Sequence, residues 1–295
     1  MSARFLYNLI SSMKEYLLPW RRPQREMLPQ IDATWERLRT DEGVVFEQVI
    51  PRNPKGYPLI IAPGVGRFAR ELRSNLKEFG EQNIHTACIE HPRFGFPVRH
   101  NPHNFAKESM RGALAVISVA EMIKQQRPEV QQFEGFGESR GSISIGIAKI
   151  LHPEEFGHVY FGSPANMTYD DFAALLGGLV QQIITERKQF AQQGDAGRVI
   201  ADAIKLMQYM ANPIRAYYEG RHIAVTNLSE PLSEFADDIT IMIPQEDGIF
   251  NPLEIQQNAE AAGIRDIVIF PGNHRVNIRD VSEVIAERRQ AATAA

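Results

Sequence analysis

The 295 residues include a single cysteine, Cys88. One thiol cannot close a disulfide within the chain or build a cysteine metal cluster, and this economy suits a reducing compartment such as the cytoplasm. No run of about 18 apolar residues occurs, so no stretch is suited to crossing a bilayer as a helix. A positive excess is missing too. Lys and Arg number 32 against 36 Asp and Glu, a net charge of -4, and no dense basic cluster interleaves with aromatics, so no nucleic-acid partner is expected. Internal repeats and low-complexity tracts are lacking. What the chain does have is 43% hydrophobic residues, enough at this length for one large core carrying an insertion.

Strand-like runs alternate with helical ones. Val44–Ile50, Tyr57–Ala62, Ile84–Ile89, Phe133–Phe136, His158–Pro164, Ile239–Ile243 and Ile267–Phe270 read as strands. Arg67–Phe79, Ala106–Gln125, Ser142–Leu151, Leu253–Ala262 and Val276–Arg289 carry helical stripes, and a further helix is predicted around Ile31–Leu38. Such alternation predicts a mostly parallel sheet covered by helices on both faces. The rhythm breaks between Asn166 and Pro231, where Phe172–Phe190, Ala196–Met210 and Pro213–Tyr218 are helical without strands. That insertion reads as a cap over the strand ends, and some of its apolar residues, Met207 and Tyr209 among them, are candidates for lining a pocket. The expected organisation is an N-terminal helical extension over 1–42, a core formed by 43–165 and 232–295, and a cap over 166–231.

Within the extension, Phe5, Leu6, Leu9, Ile10, Met13, Tyr16 and Leu17 fall on one helical stripe that Pro19 ends. Asn8, Ser11, Ser12, Lys14 and Glu15 interrupt the apolar core that a secretory signal needs. The stripe predicts packing on the chain's own body or on a second copy as a homodimer. Peripheral docking on a membrane, helped by Arg21 and Arg22, is the alternative.

The chemistry-bearing stretch is Gly137-Glu138-Ser139-Arg140-Gly141. It has the G-x-S-x-G spacing of a nucleophile elbow, lying between a strand-like run and a helix, whose N-terminus favours developing negative charge. The blander reading of Ser139 is a helix cap. Asp247 and His274 also fall just beyond the carboxyl ends of predicted strands, the edge at which open parallel sheets build sites. Glu246, Asp237 and Asp238 are rivals for the acid, and Asp247 is also suited to an ordinary turn before Gly248. Among eight histidines, His274 alone closes a late strand. His91, His100 and His103 share a loop, but their spacing matches no common metal-ligand pattern.

The order Ser, Asp, His resembles that of the α/β-hydrolases. Phe133–Gly141 resembles their strand and elbow, Ile243–Pro252 their acid loop, and Pro271-Gly272-Asn273-His274 the turn that ends in their histidine. Pro63-Gly64-Val65 resembles the oxyanion loop, with proline where many members have histidine, and Glu90–Gly95 is similar to the turn after the next strand. The resemblance spans Val44 to Arg289, interrupted by the cap. It implies a Ser139–His274–Asp247 triad, an oxyanion hole formed by the main-chain N–H groups of Val65 and Arg140, a small-molecule acyl substrate, and no cofactor or metal. Hydrolysis of an ester or thioester and acyl transfer to another acceptor would use the same residues. A hydrolase fold that binds without turnover is the reading from a different class.

Overall fold

A computed structural model describes residues 31–64, 73–90, 98, 101–168, 175, 177–178, 181, 213–274 and 276–294. The chain divides into two units, Met1–Asp32 and Ala33–Ala295, and all the secondary structure given below belongs to the second. The helix expected over Phe5–Trp20 lies outside the described residues.

Eight strands form one sheet: β1 (Ala33–Arg39), β2 (Val45–Pro51), β3 (Leu59–Ala62), β4 (Thr86–Ile89), β5 (Phe133–Glu138), β6 (Phe156–Gly162), β7 (Ile239–Glu246) and β8 (Asp266–Asn273). Their spatial order is β1-β2-β4-β3-β5-β6-β7-β8. The six strands from β4 to β8 run parallel, and β2 joins them antiparallel. All residues of β3, β4 and β5 are buried. Double coverage by helices buries such strands on both faces, where a one-faced sheet would show alternation. The longer helices among the described residues are α1 (Arg73–Glu81), α2 (Lys107–Gln126), α3 (Arg140–Leu151), α4 (Pro213–Val225), α5 (Pro252–Ala261) and α6 (Ile278–Ala294). The core gathers Phe133, Phe156 and Phe161 from the strands with Val116, Ile123, Ile145 and Ile147 from α2 and α3.

One expected element is wrong. Residues 33–39 are a strand where a helix was predicted around Ile31–Leu38, so the sheet begins before the expected core boundary at 43. Ile31, Trp35 and Leu38 do satisfy a helical spacing, but Ala33 and Trp35 also alternate with exposed neighbours. Pairing decides between the two: β1 lies antiparallel along the whole of β2, from Ala33 opposite Pro51 to Arg39 opposite Val45. Gly43, at φ +89°, closes the hairpin, with Thr40 N–H donating to Val44 O at 2.9 Å.

Most of the expected cap, including Met207 and Tyr209, lies outside the described residues. Of its described part, Leu175 is buried, and α4 presents Tyr217 and Tyr218 with their rings edge to face at 5.7 Å.

Candidate active site

The strand tips at one edge of the sheet assemble the site. The carboxyl end of β5 delivers Ser139, the end of β7 delivers Asp247, and the end of β8 delivers His274. The turn between β5 and α3 owes its shape to two different causes. Ser139 itself carries the unusual backbone, φ +51° and ψ -120°, a conformation that costs a non-glycine residue on the order of 1–3 kcal/mol. Gly137 and Gly141 are needed for space. A Cβ on Gly137 would stand 2.5 Å from Ser142 Cα, and one on Gly141 would stand 1.8 Å from the Ala62 carbonyl oxygen.

Ser139 occupies the N-cap position of α3, yet its side chain makes no capping hydrogen bond. The hydroxyl of Ser142 donates to the Ser139 carbonyl instead, at 2.6 Å. Ser139 Oγ is directed to His274 Nε2, 3.0 Å away. On the other side of the ring, Nδ1 lies 2.8 Å from Asp247 Oδ2 and 3.0 Å from Oδ1. A carboxylate can only accept, so Nδ1 carries the proton and the Nε2 lone pair faces the serine hydroxyl. The line is buried throughout: the Asp247 side chain is 0% exposed, the His274 side chain 9%, and Ser139 is 6% exposed. Phe250 packs its ring edge to face against the imidazole at 5.2 Å.

Asp247 is a turn residue as well as a partner of the histidine. Its Oδ1 accepts the main-chain N–H groups of Ile249 at 2.8 Å and Phe250 at 3.0 Å. These bonds fix the carboxylate plane that faces the imidazole. The rivals lie elsewhere: Glu246 is exposed, and Asp238, ahead of β7, takes the Lys149 ammonium at 2.9 Å.

The loop after β3 approaches the serine closely. A Cβ on Gly64 would stand 3.3 Å from Ser139 Cβ and 3.6 Å from Glu138 Oε2. Arg140 is the first residue of α3. Val65, the other residue expected at an oxyanion hole, lies outside the described residues. Of the loop histidines, His91 and His100 lie outside them too, and His103 stacks at 5.5 Å on Phe105. Among the described residues, no group of three or more His, Cys, Asp and Glu is disposed to hold a metal ion.

Two residues at the site carried no sequence signal. Phe250 was hidden among the turn residues after β7. Ser163 read as the tail of a strand, whereas it is fully buried and its hydroxyl donates to the His274 carbonyl. A groove of about 900 Å³ between Tyr57, Asn83, Glu134 and Arg289 lies toward the amino-terminal ends of β3 and β5 and takes no part in this arrangement.

No family model matches the sequence, and no curated protein does. Solved structures match widely in shape. A serine hydrolase from the polyaromatic-hydrocarbon-degrading bacterium Cycloclasticus zankles superposes with a TM-score of 0.59 at 13% identity, covering 88% of this chain and 96% of that one. A meta-cleavage product hydrolase from Pseudomonas fluorescens gives 0.58 at 15% identity, with 87% and 98% covered. A membrane phospholipase A described as a bacterial virulence factor gives 0.57 at 13% identity, with 98% and 97% covered.

Proposed function

Taking as premise that this chain has the α/β-hydrolase fold, we propose that it is a serine hydrolase acting on a carboxylic ester, a thioester or a related acyl group. The observation that carries this reading is the unbroken line from the buried Asp247 carboxylate through His274 to Ser139 Oγ, with spacings of 2.8 and 3.0 Å. A serine hydroxyl is too weak an acid to attack a carbonyl unaided, and a neutral imidazole within hydrogen-bond reach is the group that can take its proton near neutral pH.

In the first half-reaction Ser139 Oγ bonds to the carbonyl carbon while its proton passes to His274 Nε2. The carbonyl π electrons move onto oxygen, where the main-chain N–H groups of Arg140 and Val65 receive the charge at the positive end of α3. The tetrahedral centre collapses, the bond to the leaving oxygen or sulfur breaks, and the imidazolium returns its proton to that atom. Water then repeats the sequence on the acyl-serine and regenerates the hydroxyl. Asp247 holds the imidazole tautomer throughout and stabilises the imidazolium without taking its proton. The cap over 166–231 sets which acyl or alcohol group fits. The names of the solved neighbours cover a phospholipase and a meta-cleavage product hydrolase, so the fold does not choose the acyl group.

A series of 4-nitrophenyl esters from acetate to decanoate tests the reading. The wild-type protein is expected to release 4-nitrophenol with a preferred chain length, and Ser139→Ala to lose turnover by about 10³- to 10⁶-fold while remaining folded. Equal release by the two proteins would overturn it.

A further inference from the structure

We propose that Ser163 is a positioning residue that fixes the distance between the nucleophile and its base. The inference rests on the serine-hydrolase reading of the same site. Its ground is a four-residue strap at the end of β6 that grips both partners by their backbones. Gly162 O accepts the N–H of Ser139 at 2.8 Å, and Ala165 N–H donates to Ser139 O at 3.4 Å. Between these two residues, Ser163 Oγ donates to His274 O at 2.5 Å, and Ser163 N–H donates to Met242 O at 3.0 Å. One short segment thus ties the tips of β5 and β8 to each other and to the middle of β7, and the separation of Ser139 Oγ from His274 Nε2 is the quantity it sets.

The backbone supports this assignment. Four non-glycine residues among those described have positive φ, and two of them are Ser139 and Ser163, at +51° and +46°. Ser163 is also fully buried and precedes Pro164, a position at which backbone freedom is already narrow. Strain of this kind persists where the surroundings over-determine it, and it clusters at functional sites. Glycine would relieve the strain at 163. A serine there is explained by its hydroxyl, which reaches the histidine carbonyl.

The two roles separate experimentally, because glycine and alanine act oppositely on strain and equally on the hydroxyl. Ser163→Ala keeps the strain and loses the bond, whereas Ser163→Gly loses both. Both variants are expected to keep KM for 4-nitrophenyl butyrate within about twofold and to lose kcat by about 10- to 100-fold, as a small misplacement of reacting groups does. They should lose fluorophosphonate labelling of Ser139 to the same extent, although Ser163→Gly melts higher. A kcat that follows the melting temperature, with Ser163→Gly recovering activity as it recovers stability, would overturn the proposal and leave Ser163 a purely structural residue. Wild-type kcat in either variant would overturn it as well. Should Ser163→Ala fail to fold, Ser163→Gly alone still decides, since a stable Gly variant with full kcat refutes the role. A wild-type protein that neither turns over ester nor labels would count against the hydrolase reading itself, a result distinct from these.

Discussion

Asp247 and His274 are joined through both carboxylate oxygens, at 2.8 and 3.0 Å from Nδ1, while Oδ1 also holds the N–H groups of Ile249 and Phe250. An asparagine at 247 could satisfy the two main-chain donors through its carbonyl. It could not support the imidazolium, and its amide would favour the wrong tautomer. Asp247→Asn is therefore expected to fold normally and lose kcat by up to about 10⁴-fold. Glu246→Gln, at an exposed position, should be silent. Steady-state rates on one ester decide this, and the reverse pattern would move the acid by one residue.

The strain at the elbow resides in the serine. Replacing Ser139 by glycine removes the penalty on positive φ, while replacing it by alanine keeps it. Ser139→Gly should melt several degrees above Ser139→Ala, given about 1–3 kcal/mol of strain and roughly 2–4 °C per kcal/mol at this size. Calorimetry on the two inactive variants checks this, and equal melting temperatures would show the conformation to be unstrained. Gly141→Ala should be far worse than either, because its Cβ would overlap the Ala62 carbonyl at 1.8 Å.

A buried histidine far from the strand tips sets part of the pH dependence of stability. His85 accepts from Arg127 Nη1 at Nδ1 and donates from Nε2 to Gln48 Oε1, each at 3.2 Å. Burial, reinforced by the positive charges of Arg127 and Arg289, lowers its pKa from 6.5 to about 4. The unfolded chain binds this proton first as pH falls. The contribution is therefore complete above about pH 6.5 and is lost as pH falls toward 4, amounting to roughly 3 kcal/mol. Burial shifts His158 in the same direction. Urea midpoints at pH 7 and pH 4.5 should converge in His85→Gln relative to the wild type, and an unchanged acid sensitivity would contradict the assignment.

Local signals and pairing signals fared differently in the sequence. The elbow could be read because Gly137, Ser139 and Gly141 sit within five residues between a strand and a helix. Asp247 could be placed because it follows the apolar run Ile239–Ile243 of the buried β7, and His274 because it follows the apolar run Ile267–Phe270, even though β8 proves to be a half-exposed edge strand. The spacing marked the elbow, and it took the geometry to show that Gly137 and Gly141 provide clearance while Ser139 carries the positive φ. β1 was misread because Ile31, Trp35 and Leu38 suit a helix as well as a strand, and only the partner strand β2 selects between them. Ser163 could not be found at all, since its contact with the His274 carbonyl depends on the ends of β6 and β8 meeting, which no local pattern encodes.

The central claim is that Ser139 is a nucleophile activated by His274. Intact mass measured after exposure to a fluorophosphonate tests it most directly, with the wild-type protein, Ser139→Ala and His274→Ala side by side. The account expects one phosphonyl group per wild-type chain, mapped by peptide digestion to Ser139, none on Ser139→Ala, and a labelling rate lowered by several orders of magnitude in His274→Ala. A folded wild-type protein that takes up no label, or a label that persists in Ser139→Ala, would contradict it.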